Sequence, residues 1–261
     1  MEQNVQNSLD PNYIPDDLRT PFDVLDLPSQ GLLYDNKLKQ VKVEYLTAMD
    51  ENILSSPNLS AKPDVMIDLL IKRKVKDLNM EVGDLLEGDR MAILIFLRST
   101  AFGEKYTQFV WDDNIGDYVD GEIDLSKLKQ KKLMIKPDSN GEIEFILPKS
   151  GKLIKFKFLT SKEEQEVDLA DKNQMKRSQD KVSQKITLRL EKCVTEIDGE
   201  RDKIIISNIL KKIPLIDSRN LRKYIEDNEP GIDFNTNARI QGGESVSCFL
   251  RFGPNFLWPK L

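Results

Sequence analysis

Apolar and polar positions alternate most regularly at residues 142–158, EIEFILPKSGKLIKFKF, on both sides of a Leu-Pro-Lys-Ser-Gly turn. That period predicts two strands joined by a tight connection, in which Pro presets the first turn torsion and Gly accepts the left-handed one. A second turn of the same kind, LPSQGLLY, stands at 27–34. Pro28 and Gly31 in one copy answer Pro148 and Gly151 in the other.

The likeness continues downstream. YLTAMDENI (45–53) and FLTSKEEQEV (158–167) each end a strand with an aromatic-Leu-Thr and place an acid three residues after the Thr: Thr47 with Asp50, Thr160 with Glu163. This is the pattern of a helix N-cap with its capping-box partner. IDLLIKRKV (67–75) then matches ITLRLEKCV (186–194), at a spacing close to that of the turns.

Further on, Asp89, Ile93, Phe96, Leu97, Gly103 and Tyr106 fall on Asp217, Leu221, Tyr224, Ile225, Gly231 and Phe234 at a constant spacing of 128 residues. The apolar positions mark one helical face beneath an Asp N-cap, and the Gly stands where the chain leaves the helix. The final strand pairs read as YTQFVW with YVDGEIDL, and FNTNARI with SVSCFLRF.

The expected fold is therefore α+β, built from two duplicated domains, each a β-hairpin region, a small helical bundle and a terminal strand pair. The expected boundaries are a tail at 1–21, a first repeat at 22–125, a linker at 126–141 and a second repeat at 142–261. The polar stretch 163–184, free of Pro and Gly, reads as an exposed helical insertion whose acids precede its bases. The length of 261 residues suits two modest cores.

Composition narrows the chemistry. The net charge of −5 and pI near 5.1 argue against a nucleic-acid partner, which needs a basic face. KLKQKK (127–132) reads as a solvated linker or strand edge. No apolar run reaches the roughly 18–20 residues of a membrane span, and the N-terminal stretch lacks the parts of a signal peptide, so neither a membrane nor export is expected.

Histidine is absent and the two cysteines, Cys193 and Cys248, are far apart in sequence. A zinc site and a His-assisted nucleophile are therefore not expected, and the sequence calls for no cofactor and no catalytic residue. Asp112, Asp113, Asp117 and Asp120 crowd one hairpin tip, but their order does not fit a calcium loop. The two LPxxG turns resemble anion nests, yet neither leads into a helix N-terminus. In GDRMA (88–92) and DSRNL (217–221) the acid beside a base reads as a helix cap next to a surface Arg.

The C-terminal CFLRFGPNFLWPKL concentrates Phe249, Phe252, Phe256, Leu257 and Trp258 near the end of the chain. These side chains either pack back on the second domain or anchor another protein; Phe252, Phe256, Leu257 and Trp258 are the candidate partner contacts.

Taken in order, LPSQGLLY, RSTAFGEKY, LPKSGKLIKFKFLT, IPLIDSRNLRKYIEDNEPGID and the terminal FLWP resemble the T-even-type bacteriophage baseplate hub and tail-assembly protein family over nearly the whole chain from about residue 22. The resemblance implies a non-enzymatic tail-morphogenesis protein that contacts other tail and baseplate proteins. It would work in the host cytoplasm during assembly, either as a hub component carried into the virion baseplate or as an assembly chaperone absent from the finished particle. Members often carry CxxC pairs at the hairpin tips that look like zinc knuckles. The matching slots here, VWDDN (110–114) and RIQGG (239–243), hold no cysteine, so the metal does not carry over. A carboxylate-metal enzyme is the third reading, and it would need acids gathered in one place.

Overall fold

The computed structural model describes residues 20–60, 62–177, 182–252 and 256–257. It is an α+β structure. The first half opens with an antiparallel pair, β1 (Phe22–Asp26) and β2 (Gln40–Glu44). Helices α1 (Ala48–Leu54), α2 (Pro57–Ser60), α3 (Pro63–Lys74) and α4 (Glu87–Phe102) follow, then the hairpin β3 (Lys105–Asp112) and β4 (Asp117–Asp124). A short strand β5 (Lys129–Lys131) leads into the second half.

There β6 (Ile143–Ile146) and β7 (Leu153–Phe156) pair around the second LPxxG turn, and β8 (Val194–Ile197) extends them to three strands. Helices α5 (Ser161–Arg177), α6 (Lys185–Cys193), α7 (Lys203–Leu210) and α8 (Leu215–Asn228) pack around this sheet. The chain closes with β9 (Gly231–Asp233), β10 (Asn235–Arg239) and β11 (Ser245–Phe249).

Local chemistry explains the helix starts. The Asp50 carboxylate accepts from the Thr47 N–H at 2.8 Å, and the Glu163 carboxylate accepts from the Thr160 N–H at 3.1 Å while the Glu163 N–H donates to Thr160 Oγ1. Each acid thereby satisfies an amide that the first helical turn leaves without a partner. Asp89 and Asp217 act differently from the N-caps expected of them. Leu86 and Pro214 are the residues that precede α4 and α8, and each Asp is the third residue inside its helix. Gly103 ends α4 with φ +81, whereas Gly231 lies beyond the Glu229 that ends α8 and begins β9.

The halves are joined by strands as well as by the chain. β10 pairs with β4 through Ala238↔Ile123 and Arg239↔Glu122, giving one sheet in the order β11-β10-β4-β3 that takes a hairpin from each half. β5, in the segment read as a linker, pairs with β9. Thr160 bridges Leu86, and the Ser161 N–H donates to the Leu85 carbonyl at 2.7 Å. Gly88 crosses Gly231 so closely that a Cβ on Gly88 would lie 1.9 Å from the Pro230 oxygen.

Burial follows this plan. One core in the first half gathers Leu27, Val41, Val43, Ile71, Ile93 and Leu97. Another in the second half gathers Leu147, Ile154, Phe156, Leu190, Leu221 and Ile225. A third lies under the shared sheet and draws Leu94 and Ile95 from α4, Ile123 from β4, Ala238 from β10 and Leu250 from just beyond β11.

Candidate functional site

The shared sheet carries the most distinctive surface. Gly121 on β4 sits against Val110 and Ala238, and a Cβ there would come within 2.7 Å of Val110 Cγ2 and 2.8 Å of Ala238 Cβ. The absence of a side chain lets the two hairpins curl tightly over their inner face. The outer strands β3 and β11 thereby face each other across a groove of about 550 Å³.

Gln108 ties the two edges together. Its Nε2 donates to the Phe249 carbonyl at 2.9 Å, and its Oε1 accepts from the Arg251 N–H at 2.9 Å, so one side-chain amide stands where a neighbouring strand would offer a peptide group. At the hairpin tips Asn114 Nδ2 donates to Glu244 at 3.4 Å.

Strand alternation turns Tyr106, Val110 and Ile123 inward and leaves Phe109, Trp111 and Tyr118 outside. Phe109 is 68% exposed and Trp111 46%. Trp111 and Tyr118 oppose each other in register, with ring centroids 5.3 Å apart and near-perpendicular planes. Trp111 Nε1 donates to Asp113 Oδ1 at 2.9 Å, which fixes the indole. The pattern YTQFVW holds this face in plain view, because Thr107, Phe109 and Trp111 share one side of the strand, yet the sequence reading drew no site from it.

The tip acids build the turn. Asp112 is buried and accepts from the Asn114 N–H, Asp113 accepts from Trp111, and Asp117 accepts from the Tyr118 N–H. Among the described residues no cluster of three or more His, Cys, Asp or Glu side chains could hold a metal ion.

The C-terminal aromatics require a correction. Phe256 and Leu257 are 1% and 4% exposed and belong to the core under the shared sheet, so neither is available as a partner contact. Phe256 meets Tyr106 at 5.0 Å and Phe252 at 4.7 Å, and Phe252 in turn meets Phe234 at 5.0 Å. Phe252 keeps a partly exposed ring, and Trp258 lies outside the described residues.

Both LPxxG turns do hold a carboxyl group, and in each it is the protein's own. The Ser29 N–H donates to Asp89 Oδ1 at 2.9 Å, and the Lys149 and Ser150 N–H groups donate to the two oxygens of Asp217 at 2.7 and 3.0 Å. Pro28 and Pro148 stand just before these donors. Gly31 and Gly151 adopt φ of +70 and +69. At Gly31 a Cβ would also meet the Lys37 carbonyl oxygen at 2.6 Å.

Where the halves meet, a cleft of about 180 Å³ is lined by Glu87, Gly88, Glu164, Arg189, Glu229 and Gly231, among others. Arg189 donates to Glu164 at 2.7 Å and to both oxygens of Glu229 at 2.8 and 3.0 Å. Burial pushes the Glu87 carboxyl up to about 7; Arg90 opposes the shift, and the nearby Glu164, Asp64 and Asp68 add to it. Arg90 turns to Asp68 at 2.8 Å and makes no pair with the adjacent Asp89. Burial likewise raises the Cys193 thiol to about 12, which keeps it protonated and poorly nucleophilic. Among the described residues no helix is long and apolar enough to cross a membrane.

Comparison with known proteins returns nothing: no family model, no curated protein and no solved structure matches this chain.

Proposed function

We propose that this is a non-enzymatic phage tail-morphogenesis protein, a baseplate hub component that works through protein–protein contacts. The observation that carries the contact half of this reading is the exposed Phe109, Trp111 and Tyr118 face of the shared sheet. Large rings held rigid by a strand pair and an indole hydrogen bond lose little freedom when a partner covers them, and Trp and Tyr are the side chains that most often dominate binding energy at interfaces. The phage half rests on the resemblance of the ordered motifs from LPSQGLLY to the terminal FLWP.

Quantitative mass spectrometry of purified virions beside infected-cell lysate tests it. A fixed copy number in the particle is the expected result. Capture of a tail protein in lysate with none in the virion would replace the component reading by the chaperone reading, and absence of both would overturn the proposal.

A further inference from the structure

The segment Lys203–Lys223 carries a surface of different character. Ile204, Ile205, Leu215 and Ile216 are exposed, and Leu215 is 72% so. Ile205, Ile209, Ile213 and Pro214 line a groove of about 350 Å³ at the corner between α7 and α8. Leu215 and Ile216 line an adjoining groove of about 480 Å³ along α8. Such a run of exposed aliphatics in one place marks a contact surface.

The charge around it is one-sided. Lys212 borders the first groove together with Lys152, whose charge is met by Asp198 at 2.8 Å; Arg219 and Lys223 border the second, and neither groove is lined by a carboxylate although the whole chain carries −5. Lys212, Arg219 and Lys223 have no ion-pair partner among the described residues. The one acid in the stretch, Asp217, is buried under the LPKSG turn.

A second copy of the chain does not fit by repeating the contact between the halves. In the first half the residues four and three before Asp89, Leu85 and Leu86, are covered by Thr160 and Ser161, and Gly88 crosses Gly231. The residues at the same distance before Asp217 are Ile213 and Pro214, and Gly88 is replaced by Ile216. Any side chain at that place would run into the crossing backbone, since even a Cβ on Gly88 would lie 1.9 Å from the Pro230 oxygen. An extended strand is not suited either, because α7 and α8 have their backbone groups engaged within the helices and offer side chains alone.

We infer that the α7–α8 corner is a docking groove for an amphipathic helix of another protein, with aliphatic residues on one face and acidic residues flanking it. Ile205, Ile209, Ile213 and Ile216 receive the aliphatic face, and Lys212, Arg219 and Lys223 pair with the flanking acids. Helix-in-groove recognition reads its ligand through anchors at i, i+3, i+4 and i+7, a spacing that suits a groove floored by residues four apart on α7. The surface is separate from the aromatic face, so the two readings stand or fall independently.

The test uses the full chain and a fluorescent designed helical peptide with Leu at i, i+3, i+4 and i+7 and Glu on both flanks, beside a scrambled version and one with Lys for Glu. Anisotropy titration is expected to show binding of the acidic peptide alone, weakening as salt rises. Ile205→Glu and Ile216→Glu, both at exposed positions, should weaken it at least tenfold with thermal unfolding unchanged. The double variant Lys212→Glu/Arg219→Glu should lose the acidic peptide and gain the Lys peptide. Equal binding of all three peptides, or an affinity indifferent to these variants, overturns the proposal. So does self-association in sedimentation that Ile216→Glu abolishes, or flotation with phosphatidylglycerol vesicles in the absence of peptide binding.

Discussion

The Asp89 carboxylate accepts a hydrogen bond at 2.9 Å from the backbone N–H of Ser29, sixty residues earlier in the chain. Its other oxygen accepts from Tyr34 Oη at 2.6 Å, and that hydroxyl in turn accepts from the Leu86 N–H at 2.8 Å. One buried acid thus fastens the first turn, the loop after it and the start of α4. Asp89→Ala leaves several of these groups without partners in a site closed to solvent, and each orphaned group costs about 1–3 kcal/mol. Urea denaturation should show the loss. A change below about 0.5 kcal/mol would mean that water replaces the carboxylate.

Asp217 holds Lys149 and Ser150 in the same way, from the same position in its helix. The duplication expected from the sequence would make this the equivalent contact. Asp217→Ala should therefore also destabilise, by about 1–3 kcal/mol. Superposition of 22–125 on 142–261 should lay Asp89 on Asp217 and Ser29 on Lys149. Helices that diverge at these two residues would remove the duplication.

Much of this was legible in the sequence because it is local. The turns declare themselves by Pro and Gly, the capping boxes by Thr and an acid three apart, and the helix faces by their period. The partner of each Asp was not legible. An acid just before an apolar helical face reads as an N-cap, and nothing nearby shows that its carboxylate is spent on a turn at a distance. Pairing of β10 with β4 is invisible for the same reason, since strand period sets which side chains face inward and leaves the neighbour unspecified. For Phe256 and Leu257 the sequence leaves packing and partner contact both open, and only the inner face of the curled sheet, assembled from distant strands, decides for packing. The exposed isoleucines of α7 look like core residues to any periodic reading.

Gly88 meets the Pro230–Gly231 backbone with no room for a side chain. Gly88→Ala should cost about 1–3 kcal/mol or more, because the added methyl meets backbone atoms that cannot swing aside as a flexible side chain would. Gly116→Ala, at a tip with open space around it but φ +72, should cost less, through backbone strain alone. Thermal denaturation of the two variants side by side checks the order.

Glu87 makes stability depend on pH. Its folded carboxyl is raised from 4.5 to about 7, so the folded state holds a proton that the unfolded chain releases earlier. The stabilisation linked to that proton is fully present below about pH 4.5 and is lost as pH rises through about 7. Glu87→Gln removes the titration. Across that window the wild type should fall in melting temperature relative to the variant, and parallel curves would show that Glu87 ionises normally.

Phe256 and Trp111 separate packing from contact. Phe256 is enclosed by Tyr106 and Phe252 under the shared sheet, so Phe256→Ala should cost about 3–5 kcal/mol, read by denaturation of the purified protein. Trp111 stands on the outer face, where truncation removes an edge contact with Tyr118 and one surface hydrogen bond to Asp113. Trp111→Ala should therefore change stability by no more than about 1 kcal/mol, while costing about 2 kcal/mol or more of partner affinity if the face is the anchor proposed for it. Capture of tail proteins from infected-cell lysate, compared between Trp111→Ala and Asp120→Ala on the same sheet, supplies the second readout. Full capture by a stable Trp111→Ala protein would show that the aromatic face is not where the partner binds.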